Sequence, residues 1–416
     1  MKYQSIRGTH DLLPNETPIW RLIENLIHSF MKKYAFHEIR TPIFENTDLF
    51  IRAVGKETDI VTKEMYSWID QGGSSLTLRP ELTAPVIRAY LQHNLGSINK
   101  ITKLYYIDSL FRRERPQKGR QRQFNQFGVE AIGSSYPEQD AEIISLAYKM
   151  LNRFDVGDML VKINSIGSSE IRQSYIKNLI DKLEPIKKNL CKTCNNRLSK
   201  NPLRLFDCKN SQCQELLDLH APLISSNLTK QDEIHFNEVL HLLDLLKISY
   251  VHDKKLVRGL DYYTRTTFEI TSSKLGAQNT ICGGGRYDIL VEQMGGKPTP
   301  AIGFAMGIER LIIAMNNNKV VDEKLDVYIV LLGGNAIEIG IKIAEDLRIK
   351  YNKKVILETM RRSLKSQMKD ANNKNAIYTI IIGENEIKSN QFIIKEMSSG
   401  KQSNVTLEGI LGFFKE

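Results

Sequence analysis

The sequence lacks several features that identify whole classes of protein. It has no run of about 18 apolar residues, so we expect no transmembrane helix and no membrane partner. Its first residues include Lys2, Arg7 and Asp11 where a secretory signal would have an apolar segment. Its 5 cysteines are too few for a disulfide framework in a chain of this size. These absences together predict a cytoplasmic protein.

The composition is that of a globular protein with a basic surface. The 416 residues are enough for two or three domains, and the formal net charge is +10. A positive surplus favours polyanionic partners through counterion release. A chain that is merely rich in lysine would show the same surplus, so charge alone leaves both interpretations open.

Residue patterns predict an α+β fold for the first three quarters of the chain. Segments with alternating apolar or β-branched residues predict strands near 75–79, 103–111, 122–132, 159–165, 266–272 and 278–283. No regular βαβ rhythm links them, so we expect a mainly antiparallel sheet with helices packed on it. Residues 166–255 have a polar, helical pattern, which predicts a helical insertion into this domain.

The last quarter of the chain has a different rhythm. A polar segment near 317–325 predicts a domain boundary. Beyond it, 327–332 and 376–382 are predicted strands, and 336–351 is a helix between them. We therefore predict a first domain over 1–320 and an α/β domain over 326–416.

The segment 112–122 contains six cations and one acid. It joins two predicted strands, so it is expected to form a hairpin with a cationic loop. Arginine forks suit paired contacts with phosphate oxygens, and Phe124 could stack on a base. A solvated charged loop has the same composition and is the commoner case, so composition does not decide between them.

Three further segments combine small, aromatic and cationic residues: 256–265, 282–288 and 300–311. The second has three consecutive glycines, which allow a backbone to approach a ligand closely. The third is expected to be a strand of small residues running into a helix, with Arg310 near the junction. The sequence has no Gly-x-x-x-x-Gly-Lys-Ser/Thr pattern, which excludes a P-loop.

In this order the segments resemble the histidyl-tRNA synthetase family of class II aminoacyl-tRNA synthetases. The three general class II motifs are matched by 39–43, around a proline, by 111–115 and by 303–310. Segments similar to those particular to the histidyl enzymes are 7–14, 115–122, 256–265 and 283–288. The similarity runs from about residue 5 to about residue 410, and the joint match is far more specific than any one segment.

The resemblance implies a fold and a reaction. The fold would be the class II catalytic domain, with a helical insertion and a C-terminal anticodon-binding domain. The reaction would be that of a histidine–tRNA ligase, in which L-histidine attacks ATP and the histidyl group then passes to tRNA(His). Mg²⁺ would bridge pyrophosphate oxygens, and the enzyme would be a homodimer.

The resemblance also implies residue roles. The catalytic cations would be Arg112, Arg258 and Arg310. Histidine would be bound by Glu81, Leu82, Thr83, Arg112, Gln126, Glu130, Arg258, Tyr262, Tyr263 and Tyr287. ATP would be bound by Arg112, Glu114, Arg120, Phe124 and Arg310. The tRNA acceptor end would meet Gln117 and Arg122.

Two of these roles have independent support from strand geometry, and two positions depart from the family pattern. Gln126 and Glu130 share one face of a predicted strand and can converge on one ligand. Leu82 occupies a position that is usually small, and Asn125 stands where a histidine is frequent. These departures concern the packing of the pocket and leave the reaction class unchanged.

Four of the cysteines are a candidate metal site. Cys191, Cys194, Cys208 and Cys213 have the count for a tetrahedral zinc thiolate, and the first pair has zinc-knuckle spacing. The second pair is separated by four residues, and reduced thiols in a cytosolic module would show the same pattern. The sequence leaves a structural zinc and free thiols both open.

Three rival functions remain at this stage. One is a regulatory paralogue that has lost catalytic residues and the C-terminal domain, and another is an RNA-sensing module. The third is a class II enzyme with a different amino acid. Adenylate formation with histidine would distinguish all three. In the C-terminal domain, Arg361, Arg362, Lys365 and Lys369 are expected on one helix face that could meet anticodon phosphates.

Overall fold

The chain divides into two compact units, Met1–Lys319 and Val320–Glu416. The computed structural model describes residues 3–276, 279–316 and 324–415. Most of the polar segment predicted as a domain boundary, 317–323, lies outside the described residues.

The first unit is built from helices and strands in irregular alternation. In chain order they are α1 (Thr17–Lys33), β1 (His37–Glu38), β2 (Phe44–Asn46), α2 (Thr47–Val54), β3 (Tyr66–Ile69), β4 (Ser75–Leu78), α3 (Thr83–Gln92), β5 (Thr102–Phe111), β6 (Gln123–Ile132), α4 (Pro137–Arg153), β7 (Met159–Ser165), α5 (Ser169–Leu183), α6 (Lys192–Lys200), α7 (Ser211–His220), α8 (Lys230–Leu245), β8 (Tyr250–His252), β9 (Thr264–Ser272), β10 (Thr280–Arg286), α9 (Leu290–Gln293), β11 (Ala301–Gly307) and α10 (Ile308–Ala314).

Eight of the described strands of this unit form one large sheet in the order β1-β5-β6-β11-β10-β9-β7-β8. The pairs at the two edges are parallel, and every pair between them is antiparallel. The prediction of a mainly antiparallel sheet is therefore confirmed, and five of its strands, β5, β6, β7, β9 and β10, correspond to predicted ones. The strand predicted near 75–79 is also present, as β4, but it belongs to a separate small sheet. Alternation explains the burial, since Val161 and Ile163 of β7 are fully buried while Leu160 is exposed.

The cationic segment joins β5 to β6, which pair antiparallel over their full length. The predicted hairpin is thus confirmed. Strands β2, β3 and β4 form a small separate sheet in the order β2-β4-β3. Helix α3 follows β4 in the chain and precedes the hairpin. Helix α4 packs across β9, β10 and β11, so the middle of the large sheet is covered.

The predicted insertion is helical over most of its length. Helices α5 to α7 and the intervening turns form it, with a core that includes Leu179, Leu198 and Leu217. Helix α8 packs on α4, and β8 pairs with β7 at the edge of the large sheet. The last part of the range 166–255 therefore belongs structurally to the large sheet.

The second unit is a five-stranded sheet with helices. Its elements are β12 (Leu325–Leu332), α11 (Asn335–Tyr351), β13 (Val355–Leu357), α12 (Leu364–Asn373), β14 (Ala376–Gly383), α13 (Glu384–Ser389), β15 (Phe392–Glu396), β16 (Gln402–Val405) and α14 (Leu407–Phe413). The strand order is β13-β12-β14-β15-β16, parallel in the first three and antiparallel thereafter. The βαβ prediction is confirmed for its first half. Within the described residues, no helix combines the length and apolar character that crossing a membrane requires.

Candidate active site

The centre of the candidate site is the buried carboxylate of Glu130 on β6. Its Oε1 accepts hydrogen bonds from the Thr83 hydroxyl at 2.8 Å and from the Tyr106 hydroxyl at 3.2 Å. Its Oε2 accepts a short hydrogen bond from the Tyr287 hydroxyl. The residue is 1% exposed, so these three hydroxyls take the place of water as hydrogen-bond donors to it.

Burial also sets the protonation of this carboxylate. Removal from water raises the pKa of Glu130 to about 8, although the Tyr287 and Thr83 hydrogen bonds lower it. Glu130 is therefore poised near neutrality between a neutral acid and a carboxylate. In either form it has an oxygen suited to an N–H or a ring nitrogen.

Two glycines make room for this arrangement. A Cβ on Gly303 of β11 would overlap the Glu130 carboxylate, and a Cβ on Gly128 of β6 would overlap the Tyr106 hydroxyl. Gly303 and Gly128 are thus explained by the space that a buried acid and its tyrosine partner occupy.

Glu81 lies at the start of α3, close to the same pocket. Its carboxylate accepts hydrogen bonds from the backbone N–H groups of Thr83 and Ala84, both at 2.9 Å. The side chain is 4% exposed, and burial raises its pKa while those two N–H groups lower it. Thr83 connects the two acids, since its N–H contacts Glu81 and its hydroxyl contacts Glu130.

Three predicted tyrosines line the pocket as one aromatic group. The ring centroids of Tyr262 and Tyr263 lie 4.7 Å apart, and those of Tyr262 and Tyr287 lie 5.5 Å apart. All three side chains are buried. Burial raises the pKa of Tyr287 well above its usual range, so its hydroxyl remains a donor to Glu130. The walls are thus flat, apolar and edged with hydroxyls, which suits a small polar ring.

Arg258 lies next to the tyrosines and forms a short ion pair with Glu269 of β9. Its guanidinium carbon is 5.9 Å from the centroid of the Tyr263 ring. A Cβ on Gly283 of β10 would overlap the guanidinium. Part of the glycine run therefore leaves space for a neighbouring side chain of this protein, as well as permitting the close approach predicted from the sequence.

The hairpin loop holds its cations against one acid. Glu114 is 3.0 Å from Arg120 and 3.7 Å from Arg112. The Arg112 Nε donates to the Pro80 carbonyl at 2.8 Å, and its guanidinium carbon lies 5.3 Å from the centroid of the Phe124 ring. The predicted ATP-binding residues of this loop are therefore brought together, with Phe124 on one side of the arginine.

Arg310 approaches the loop from the first turns of α10. Burial lowers the pKa of Arg310 and the charge of Arg120 lowers it further, while Glu114 and Glu269 raise it. Glu114 also contacts Arg112, and Glu269 pairs with Arg258, so the charges of the three predicted catalytic arginines are offset by the same two acids. The structure places this cationic region beside the tyrosine pocket.

Asn125 orients the acid that precedes Arg310. Its backbone N–H and its side-chain amide donate to Glu309 Oε1 at 2.8 and 3.1 Å. The Ser109 hydroxyl donates to Asn125 Oδ1 at 2.8 Å, which holds the amide in place. The departure at position 125 thus has a clear structural role.

A buried ion-pair network fixes the segment that carries Tyr287. Arg286 and Asp140 are both fully buried and 2.7 Å apart, and Arg286 also pairs with Asp288 at 3.1 Å. Asp140 in addition contacts His235 of α8 at 3.3 Å. The backbone N–H of Asp288 donates to the Thr264 hydroxyl at 3.1 Å, which ties this segment to the loop that ends in Tyr263.

The insertion contacts that same loop from the other side. The Asn201 amide donates to Asp261 Oδ1 at 3.0 Å, and Arg204 donates to the Gly259 carbonyl at 3.4 Å. Arg172 of α5 donates to the Asp261 carbonyl. The backbone that presents Arg258 and the tyrosines is therefore held by helices far away in sequence.

Four predicted residues lie differently from the rest. The side chain of Leu82 packs in an apolar cluster with Val86 and Leu110. Gln117 is exposed at the tip of the loop, and the Arg122 N–H donates to the Gly8 carbonyl at 2.6 Å. Gln126 is half-buried on β6, opposite Asp108 of β5 and Gly307 of β11.

The expected cationic helix face in the second unit is only partly correct. Helix α12 begins at Leu364, so Arg361 and Arg362 precede it and cannot share its face. Arg362 is instead paired with Glu358 and with Asp370 at 2.9 Å. Lys365 and Lys369 are exposed and four residues apart on the helix. The sequence pattern could not show that Arg362 would form ion pairs with Glu358 and Asp370.

Tyr106, Glu269 and Asp140 were not predicted as site residues. Tyr106 and Glu269 lie on predicted strands, where alternation shows which side chains share a face but not which face meets a ligand. Asp140 lies in the first turn of α4 and looks like an ordinary acid near a helix start. Only long-range contacts distinguish these residues from their neighbours.

The chain is similar to known proteins over its whole length. The family model described as Histidyl-tRNA synthetase matches residues 8–311, and the one described as Anticodon binding domain matches 326–416. A histidine–tRNA ligase of Acetivibrio thermocellus is 44% identical, with 100% of both chains covered. One of Halothermothrix orenii is 46% identical over 99% of this chain and 98% of its own. The crystal structure of apo S. aureus histidyl-tRNA synthetase covers 100% of both chains at 36% identity, with a TM-score of 0.83.

Proposed function

This chain belongs to the histidyl-tRNA synthetase family, and from that premise we propose which residues carry out each part of its reaction. The reaction is that of a histidine–tRNA ligase. ATP activates L-histidine to histidyl-adenylate, and the histidyl group then passes to the 3′ end of tRNA(His), with release of AMP and pyrophosphate. The fold is the α+β class II catalytic fold with a C-terminal α/β anticodon-binding domain.

The imidazole of histidine binds between Glu130 and the aromatic group of Tyr262, Tyr263 and Tyr287. The observation that carries this assignment is the buried Glu130 carboxylate, ringed by hydroxyls and raised in pKa to about 8. Near neutral pH, either an imidazole N–H donates to the Glu130 carboxylate, or the protonated Glu130 donates to an imidazole nitrogen. A ring without nitrogen could not make this hydrogen bond, at a cost of about 1–3 kcal/mol.

The α-ammonium of histidine binds at the amino end of α3. Glu81 supplies a carboxylate there, Thr83 supplies a hydroxyl, and Gln126 faces the same side from β6. The backbone at Leu82 closes this end while its side chain stays in the core. The buried position of Glu81 supports the assignment, because its carboxylate is hydrogen-bonded by two backbone N–H groups and forms no ion pair within the described residues.

The histidine carboxylate attacks the α-phosphate of ATP inside the ring of cations. The attack places negative charge on phosphate oxygens and on the departing pyrophosphate, so fixed arginines are the natural catalysts. Arg112 holds the α-phosphate and the carboxylate, Arg258 lies on the other side of the α-phosphate, and Arg310 holds the γ-phosphate. Two acids support this assignment: Glu114 contacts Arg112, Glu269 pairs with Arg258, and both raise the pKa of Arg310.

The nucleotide lies along the hairpin loop. Glu114 hydrogen-bonds the adenine and Phe124 stacks on it, while Arg120 follows the β- and γ-phosphates. ATP arrives as its magnesium complex, since Mg²⁺ prefers oxygen ligands such as neighbouring phosphates. On this proposal the acid pairs of the arginines exchange for phosphate oxygens as the nucleotide binds.

The tRNA contacts both domains of the chain. The domains are the catalytic domain over 1–320, with the insertion inside it, and the anticodon-binding domain over 326–416. Gln117 and Arg122 read the acceptor end from the loop, where Gln117 is exposed. The exposed Lys365 and Lys369 offer phosphate contacts in the C-terminal domain. The reaction takes place in the cytoplasm.

The active form is a homodimer that uses the small β2-β4-β3 sheet. This sheet and the residue before it expose large apolar side chains, namely Ile43 (49%), Phe44 (52%), Trp68 (40%) and Ile69 (65%). The rings of Phe44 and Trp68 lie 6.0 Å apart and form a continuous patch. A second copy of the chain would cover it, consistent with the similarity of 39–43 to the class II dimer motif.

Light scattering after gel filtration tests the dimer. We expect a dimer for the wild type and a monomer for Trp68→Glu. Leu219→Glu is the matched control, because Leu219 is 77% exposed in the insertion and lies outside the patch. A monomeric wild type would refute the dimer, and a dimeric Trp68→Glu variant would refute the choice of interface.

Exchange of labelled pyrophosphate into ATP tests the activation chemistry and the substrate together. We expect exchange with histidine and none with the other amino acids, in the presence of Mg²⁺ and without tRNA. Exchange that survives complete chelation would contradict the magnesium complex. Folded protein that shows no exchange with any amino acid would contradict the activation roles of Arg112, Arg258 and Arg310.

A further inference from the structure

Four of the five cysteines meet at one point of the insertion. The Sγ atoms of Cys191, Cys194, Cys208 and Cys213 all lie within 4.8 Å of one another, and those of Cys191 and Cys208 are 3.9 Å apart. Two of the residues are buried and two are half-buried. These cysteines have no part in the proposed reaction, so their convergence calls for a separate explanation.

The spacing of the sulfurs fits a tetrahedron around a metal ion. Zinc–sulfur bonds of about 2.3 Å place the sulfurs of a tetrahedral site about 3.8 Å apart. A disulfide requires about 2.05 Å, far shorter than the separation of Cys191 and Cys208. The pairs that are farther apart would need to move inward by less than about 1 Å to complete the tetrahedron.

Backbone N–H groups point at the sulfurs. The Cys191 N–H donates to Cys213 Sγ at 3.2 Å, the Asn210 N–H to Cys208 Sγ at 3.4 Å, and the Cys194 N–H to Cys191 Sγ at 3.5 Å. Such donors stabilise a thiolate far more than a neutral thiol. Three of the four sulfurs thus already have the second layer of contacts that a metal-bound thiolate needs.

Two helix starts add to this preference. Cys191 caps α6 and Cys194 lies in its first turn, while Cys213 lies in the first turn of α7. Positive partial charge at a helix start favours an anion. A divalent cation would neutralise thiolates held at these helix starts.

We propose that Cys191, Cys194, Cys208 and Cys213 bind one structural Zn²⁺ as thiolates. Four sulfur ligands close the tetrahedral coordination and leave no position for water or substrate, so the site is structural and not catalytic. Binding releases the protons of the thiols to solvent and involves no oxidation or reduction. The ion would cross-link a module whose buried apolar residues form one cluster with residues of α2 and α3.

The zinc site also braces the loop that carries Arg258. The residues between Cys194 and Cys208 include Asn201 and Arg204, which hold Asp261 and Gly259. Arg204 is itself fixed from within the module, because the Arg197 guanidinium donates to its carbonyl at 2.9 Å. A metal that joins the ends of this segment restricts the backbone that positions the loop carrying Arg258. This second part of the inference rests on the proposed function, whereas the metal site does not.

Metal analysis of the full chain, expressed in zinc-containing medium and purified without chelators, is the direct test. We expect one zinc per chain for the wild type and near-complete loss in Cys208→Ser. Cys282→Ala is the matched control, because Cys282 is the cysteine outside the cluster and is buried in β10. A folded wild type without zinc, or with iron in its place, would overturn the proposal. So would disulfides among the four cysteines in protein kept under reducing conditions.

Cobalt spectroscopy keeps the test open if Cys208→Ser fails to fold. After zinc is withdrawn, added Co²⁺ should give thiolate charge-transfer bands and the intense visible bands of tetrahedral coordination. Cys208→His should retain the metal with shifted bands, since imidazole replaces one sulfur. Weak bands typical of octahedral cobalt would contradict the four-sulfur site.

Withdrawal of zinc separates the site from its consequence. We expect the zinc-free enzyme to show a several-fold higher KM for histidine in pyrophosphate exchange, with a smaller change in the KM for ATP, and restoration on adding Zn²⁺. An unchanged KM for histidine would refute the bracing and leave the metal site standing. A zinc-loaded protein with no exchange activity would instead count against the proposed function.

Discussion

The tyrosine pocket and the hairpin loop solve recognition in opposite ways. The pocket is built before any ligand arrives, with Glu130 enclosed by three hydroxyl donors. In the loop, Arg120 is 41% exposed, and its contact is an acid that a phosphate could replace. On the proposed assignments, the difference teaches that a rigid, dry pocket selects the amino acid, whereas the nucleotide is bound by charges that exchange partners.

The largest expected effect comes from the boundary between the two regions. Arg258→Ala should slow adenylate formation by about a hundred- to a thousandfold, because one fixed charge opposite the α-phosphate is lost. Histidine affinity should fall much less. Single-turnover adenylate formation and equilibrium histidine binding measure the two quantities. The control is Arg153→Ala, an exposed arginine at the end of α4. Equal losses of rate and affinity would make Arg258 a ground-state binder and blur the comparison.

The next effect should be confined to the pocket. Glu130→Ala should weaken histidine binding by about ten- to a hundredfold, since a hydrogen bond to a charged group contributes about 1.5–3 kcal/mol. ATP binding should change little, because the loop arginines do not contact Glu130. Isothermal titration with each ligand measures both affinities. Tyr106→Phe is the milder companion, as it removes one donor to Glu130 and keeps the ring. A parallel loss of ATP affinity would show that the two regions are not separate.

A third effect concerns pH and stability. The pKa of Glu130 is about 8 in the folded chain against an ordinary value of 4.5. The folded state therefore binds its proton more tightly. This contribution to stability is complete below about pH 4.5 and is lost as the pH rises through about 8.

The slope contributed by this single proton is at most about 1.4 kcal/mol per pH unit. Denaturant unfolding of the wild type and of Glu130→Gln between these limits isolates it, because glutamine does not titrate. We expect the free energy of unfolding to fall less steeply with pH in the variant. Identical slopes would mean that the pocket is wetter than its burial indicates, and closer in character to the loop.

The smallest effect should appear at the tip of the loop. Gln117→Ala should slow transfer of histidine to tRNA by about a few-fold and leave pyrophosphate exchange unchanged, because the side chain is exposed and is assigned to the acceptor end of the tRNA. Rapid-quench transfer from preformed adenylate measures the first step affected. A defect in exchange would instead place Gln117 with the nucleotide.

The sequence predicted the layers of the fold but not the contacts between them. Runs of apolar, aromatic and β-branched residues predicted the strands of the hairpin and of the sheet centre, because such residues favour buried extended backbone. The docking of Asn201 on Asp261 joins residues 60 positions apart, and no periodic pattern encodes it. The pKa of Glu130 likewise depends on Tyr106 of β5 and on Tyr287, which follows β10. The fate of Arg362 shows the same limit in the second unit.

The place left open by Gly283 has a consequence for how this sequence can change over generations. Glycine to alanine needs one nucleotide change and is usually among the mildest of substitutions. Here the new methyl group would fall on the guanidinium of Arg258, so either the strand or the arginine must shift. We expect the Gly283→Ala change to be less damaging than loss of Arg258, but to displace its guanidinium. Part of the heritable information that sets the position of Arg258 is thus the absence of a single carbon atom.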